Sequence, residues 1–283
     1  MKKNLGPIST LSPIVIWMLS LFLVPILLVL LVSFFTRGEV GDIEYILTLS
    51  NYSKLIDARY VKILFDSLVI AVFTTAFCLA LGYPFAYFVA RSRNKFRPIL
   101  LLLIILPFWT NSLVRTYAWI ILLRTEGIIN TYLLKLHFIK EPLQMLYTEG
   151  SVLVGMVYMM FPFMVLPLYS SIEKLDFSLL EASSDLGASP FKSFLRITLP
   201  LTKSGIMSGS ILVFVPTLGY FFIPDLMGGS KIMLISNLIK NQFLSARNWP
   251  FGAAVSIILI LIMFVILFIY SKLGGTKDKM EVL

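Results

Sequence analysis

Few side chains in this chain are equipped for chemistry. There is one histidine, His137, and one cysteine, Cys78, among 283 residues. A zinc cluster needs more His and Cys ligands than that. A Ser-His-Asp triad would have to use His137, which lies in a polar connection with no suitable neighbours. Cys78 sits in the apolar run Thr75-Ala76-Phe77-Cys78-Leu79 and is expected to be a small buried hydrophobe. No G-x-x-x-x-G-K-[ST] sequence occurs. The nearest glycine-rich run, Gly228-Gly229-Ser230-Lys231, lacks the required order. Phosphate cradling and Mg²⁺ binding therefore belong to another chain. The expectation is no catalytic residue, no metal site and no cofactor here.

One polar segment, residues 174–200, is organised too well to be a simple loop. Ser178 and Glu181 have capping-box spacing, and Gly187 supplies the left-handed residue that ends a helix. Ser189 is a second N-cap, with Pro190 at the first helical position. Phe191, Phe194 and Leu195 share one face of the second helix, Lys192 and Arg196 another. Pro200 breaks that helix. A short helix, a sharp turn and a second short helix result. By physics alone this pair either engages a partner or lies as an amphipathic hairpin on the inner leaflet.

The elements that must carry this segment are set by composition. The chain is 58% hydrophobic and 14% charged, against about 25% charged residues in a soluble domain. A bilayer is the solvent that fits. Six windows reach the roughly 20 apolar residues of a spanning helix: 13–35, 65–90, 98–122, 151–169, 205–222 and 251–271. The first follows Lys2 and Lys3, is too long for a signal-peptide core and is expected to remain as an anchor. The tight loop holding Arg91, Arg93, Lys95 and Arg97 fixes the inner side, so both termini are expected in the cytoplasm. The net charge of +9 then reflects inner loops rather than nucleic-acid binding. Three long outer connections are left to form short interfacial helices or to lie against a partner. The whole chain, 1–283, is expected to be a single all-α transmembrane domain.

Glu181-Ala182-Ser183, then Gly187, Ile197, Leu199 and Pro200 resemble the EAA loop of binding-protein-dependent ABC importers. The family pattern has Ala where Ser183 stands. The resemblance implies a type I importer permease fold, with a coupling helix pair between spans four and five that docks on a separate ATPase. Glu181, Ala182, Gly187, Ile197, Leu199 and Pro200 would be its coupling residues. Further stretches, among them Leu81-Gly82-Tyr83-Pro84-Phe85-Ala86, Pro107-Phe108-Trp109-Thr110-Asn111-Ser112, Asp225-Leu226-Met227-Gly228-Gly229 and Trp249-Pro250-Phe251-Gly252-Ala253-Ala254, are similar to the first permease subunit of spermidine/putrescine importers. That similarity implies a second permease subunit, two copies of an ATPase carrying ATP and Mg²⁺, an extracytoplasmic polyamine-binding protein and a bacterial plasma membrane.

A polycation with a methylene spine is met by carboxylates, carbonyls and aromatic faces. Trp109, Asn111, Tyr220 and Asp225 are the candidate path residues. The alternatives are an aromatic belt for Trp109 and Tyr220 and a solvated helix end for Asp225. Counting a straight helix from Gly205 places Asp225 about 30 Å along, at the outer boundary. Arg115, inside a span, would cost about 2.5–3.5 kcal/mol at mid-bilayer. The same rise puts it about 26 Å from the inner end, within reach of the outer headgroups; a gate latch to a carboxylate is the second reading. The rival functions are an importer of another small solute, such as an amine or a phosphonate, and an ion-coupled secondary transporter.

Overall fold

The computed structural model describes residues 5–39 and 41–274; Lys2 and Lys3, which precede the first apolar window, lie outside them. In chain order the elements are α1 (Leu5–Ser33), a hairpin of β1 (Thr36–Arg37) and β2 (Ile43–Glu44), α2 (Ser50–Lys54), α3 (Ala58–Arg91), α4 (Arg97–Ile105), α5 (Ser112–Leu123), α6 (Ile128–Lys135), α7 (Glu149–Glu173), α8 (Ser178–Asp185), α9 (Pro190–Ser193), α10 (Leu199–Leu201), α11 (Lys203–Gly219), α12 (Ile235–Leu244) and α13 (Trp249–Gly274). A 3₁₀ turn, Leu106–Trp109, extends α4, and a π segment, Phe194–Thr198, joins α9 to α10.

Among the described residues, four helices are long and apolar enough to cross a membrane: Ser12–Ser33, Ala58–Arg91, Glu149–Glu173 and Trp249–Lys272. Two more candidates are bent pairs. Arg97–Trp109 meets Ser112–Lys135 at 93°, and Pro190–Leu201 meets Lys203–Gly219 at 66°, so the number rises to six if each pair is one span. The third hydropathy window, 98–122, is therefore not a straight helix. After Pro107, Thr110 turns extended (φ −86°, ψ 148°), and Asn111 starts a new helix by accepting the Leu113 N–H at 2.8 Å. The straight-rise position of Arg115 does not survive this bend.

The chain divides into two compact units. The first comprises residues 1–62 and 238–266. In it the side-chain amide of Asn51 donates to the carbonyls of Ser33 (3.0 Å) and Phe35 (2.9 Å), closing the end of α1. The Ser33 and Tyr52 hydroxyls lie 2.6 Å apart, and Tyr60 packs on Phe251 with ring centroids 4.9 Å apart.

The second unit, residues 63–237 and 267–283, is built on α7. Thr148 and Ser151 form a reciprocal capping box at its start, satisfying two of the donors a helix leaves open. Met156, Met160, Met164, Val165, Leu168 and Ile172 along α7 are fully buried. Helix α11 lies close against it because Gly209 carries no side chain: a Cβ there would sit 2.8 Å from the Met164 sulfur. Small residues at such a contact let backbones approach where lipid supplies no hydrophobic drive. Cys78, Tyr83, Ala86 and Ala90 of α3 fill the same core, so Cys78 is the buried hydrophobe its sequence context indicated.

Candidate functional site

The segment 174–200 forms the helix–turn–helix read from the sequence, with one change at its start. Ser178 is the first residue of α8 rather than its cap, and Phe177 precedes it without a side-chain cap. Instead the Asp176 carboxylate accepts the Ser178 N–H at 3.0 Å, and that bond holds the Asp176 carboxyl below the usual range. Gly187 turns the chain at φ +79°, a region open to glycine at little cost. Ser189 caps α9 through the Lys192 N–H at 3.4 Å, and Pro190 occupies its first turn.

The two arms are held together by a contact the sequence did not announce. The hydroxyls of Ser183 and Ser193 lie 2.7 Å apart in a buried position. Ser183, the one departure from the family pattern, thus supplies half of the clasp. Glu181 and Ala182 are exposed on α8, Gly187 is exposed at the turn, Ile197 and Leu199 are half-buried, and Pro200 is exposed. Leu186 and Phe191, flanking the turn, are 89% and 70% exposed.

The expected single apolar face of the second arm is split. Phe191 points outward, while Phe194 stacks edge-to-face on Tyr83 at 5.5 Å. The π segment explains this. Proline at 200 has no N–H to donate and its ring crowds the carbonyl four residues back. The Leu199 N–H bonds to the Phe194 carbonyl, five residues back, and the wider turn shifts the helical phase. The helix does not end at Pro200 but bends at Thr202 (φ −97°, ψ 8°). The Thr202 hydroxyl donates to the Thr198 carbonyl at 2.8 Å, leaving its oxygen to accept from the Tyr83 hydroxyl at 2.8 Å.

The basic loop 91–97 is pinned beside this hairpin. The Arg91 guanidinium lies 5.5 Å from the Phe177 ring centroid. Arg97 pairs with Glu173 at 3.3 Å and donates to the Ser92 carbonyl at 3.0 Å. Glu173 also accepts from the Tyr169 hydroxyl at 2.6 Å.

The four candidate path residues fall at two separate breaks. Trp109, 75% exposed, and Asn111 mark the bend between α4 and α5, where the Asn111 side-chain oxygen is engaged as a cap. Tyr220 and Asp225 follow the end of α11 at Gly219, so Asp225 is not on a straight continuation of that helix. It sits half-buried in the π turn Pro224–Gly228. Two residues absent from the sequence reading organise this break. Ser236 donates to the Tyr220 carbonyl at 3.1 Å. Asn237 donates to the Phe221 carbonyl at 2.8 Å and to the Asp225 carboxylate at 3.4 Å. The rings of Tyr220 and Phe222 lie 4.8 Å apart above the turn. A carboxylate, backbone carbonyls and two aromatic rings at one helix break are groups able to receive an ammonium.

Residues 82–274 match the family described as binding-protein-dependent transport system inner membrane component. The chain is 48% identical over 271 residues to the spermidine/putrescine transport system permease protein PotB of Escherichia coli K12, covering 95% of this chain and 98% of that protein. The corresponding protein of Haemophilus influenzae is 45% identical over 275 residues, 96% of each chain. The inner membrane ABC transporter permease protein YdcU of E. coli is 32% identical over 243 residues, 81% of this chain and 77% of that one. In fold, the chain is similar to a bacterial ABC transporter that imports the acidic polysaccharide alginate, with TM-score 0.74 at 16% identity over 98% of both chains. It superposes equally well, at TM-score 0.76, on the alginate transporter in complex with a pentasaccharide-bound periplasmic protein. The chain belongs to the binding-protein-dependent transport system inner membrane components, which are transport subunits rather than enzymes.

Proposed function

We propose that this chain is the first permease subunit of an ATP-driven polyamine importer, forming one half of a pathway that opens alternately to either side. The observation that carries the substrate is the 45–48% identity to spermidine/putrescine permeases over nearly the whole chain. The partners that follow are a second permease subunit, two copies of an ATPase that holds the ATP and Mg²⁺, and an extracytoplasmic polyamine-binding protein. The whole chain serves as one transmembrane domain with both termini in the cytoplasm.

Coupling is assigned to the hairpin. Leu186 and Phe191 expose large apolar surface beside a glycine turn, which is the form of a knob for a partner's groove. Glu181, Ala182, Gly187, Ile197, Leu199 and Pro200 would shape and orient it, and the ATPase would move it. Asp225 and Tyr220 are assigned to the cation path, with Trp109 and Asn111 at a second point along it. Proteoliposomes carrying the complete importer test this reading. Labelled spermidine or putrescine should accumulate only with ATP inside and binding protein outside. Transport of an unrelated amine or a phosphonate, with neither polyamine competing, would overturn the substrate.

A further inference from the structure

Helices α3, α4, α5 and α7 enclose a cavity of about 560 Å³, within the range of about 300–1,000 Å³ typical of ligand pockets. Its walls are hydrocarbon and aromatic, including Phe77, Leu81, Leu103, Val154 and Phe161, and Arg115 is the one charged residue lining it. Phe77, Leu81, Leu103 and Val154 are each at least 40% exposed. The cavity is therefore open rather than sealed, and it lies between α3 and α7, both long and apolar enough to cross a bilayer, so that its opening is lateral.

Arg115 is incompletely satisfied there. Its guanidinium carbon lies 4.6 Å from the Phe108 ring centroid, yet its Nε and Nη1 are buried with no hydrogen-bond partner. A guanidinium fits phosphate oxygens in a bidentate fork. In apolar surroundings it calls for an anion. An Arg is a poor direct ligand for a polycation, so a polyamine is not the occupant this lining selects.

We infer that the cavity holds an anionic phospholipid, with its phosphate on Arg115 and an acyl chain along the apolar wall. Charge complementarity selects the headgroup; the lateral opening and hydrocarbon lining select the tail. The site stands independently of the polyamine assignment.

Native mass spectrometry of the purified complete importer tests it, with phosphatidylglycerol and phosphatidylcholine of matched acyl chains as probes. The wild-type complex should retain phosphatidylglycerol in preference, and Arg115→Gln should reduce that preference about tenfold. Val154→Trp, which keeps the charge and fills the cavity, should reduce retention of both lipids. Equal retention of the two lipids by the wild type, or unchanged preference in Arg115→Gln, would overturn the proposal. So would loss of the second permease chain from Arg115→Gln complexes with lipid retention unaltered, since Arg115 would then serve a subunit contact. Should Arg115→Gln fail to assemble, Val154→Trp decides alone, and undiminished phosphatidylglycerol in that variant refutes the site.

Discussion

Replacing Gly187 isolates the turn from everything around it. The residue sits at φ +79°, and a Cβ built there meets nothing within 4 Å. Substitution therefore adds backbone strain and no collision. An L-residue in the left-handed region costs about 1–2 kcal/mol, with β-branched residues at the upper end or beyond. Gly187→Ala should cost about 1 kcal/mol and Gly187→Val about 2 kcal/mol, whereas Asn visits this region readily. If the ATPase recognises only the closed turn, about 2 kcal/mol lowers its apparent affinity by up to about 30-fold. The assay pairs polyamine uptake in proteoliposomes with a pull-down of the ATPase by the permease pair. Uptake should fall in the order Gly, Asn, Ala, Val, with membrane insertion unchanged. Normal uptake and ATPase capture by Gly187→Val, at normal expression, would refute the coupling assignment. Failure of Val and Asn alike would mean that glycine serves by its small size against a partner rather than by its φ.

Asp225→Asn should reduce polyamine uptake modestly, since a partly hydrated carboxylate–ammonium contact contributes about 1 kcal/mol or less. The loss should shrink at high ionic strength; unchanged kinetics at two salt concentrations would return Asp225 to a solvated helix end, and a collapse of assembly would make it structural. Tyr83→Phe deletes the donor to Thr202 at the bend before α11 and should destabilise the assembled complex by about 1 kcal/mol; an unshifted thermal transition would refute that. The purified subunit alone should neither bind nor hydrolyse ATP, and micromolar nucleotide affinity would contradict the division of labour.

The helix–turn–helix at 174–200 was legible because its signals are local. Gly187, Ser189 and Pro190 each fix a backbone conformation regardless of the surroundings, and all three behave as read. The capping box at Ser178 failed because Asp176, two residues earlier, accepts the Ser178 N–H that the Glu181 side chain would have taken, and Ser178 becomes the first helical residue. The apolar windows were legible in position but not in straightness. Pro107 and the Asn111-Ser112 pair are a helix stop and a helix start side by side, yet hydropathy averages over both and returns one span. The clasp between Ser183 and Ser193, and the hold of Ser236 and Asn237 on the end of α11, join residues ten or more positions apart. No periodicity announces such pairings, since they depend on how the segments fold back on one another. Arg115 was read from a straight-helix count that the bend at Thr110 invalidates.

The joint at Thr202 has a mechanical consequence. From Pro190 to Leu201 the chain is helical throughout, a rigid arm about 18 Å long by its rise. It meets α11 at 66°, and its near end is fastened to Tyr83. By that length, a rotation of about 10° at Thr202 would move the Pro190 end of the arm through about 3 Å. A displacement imposed at the exposed tip would thus reach, through one hydrogen-bonded joint, a helix packed against the buried methionines of α7.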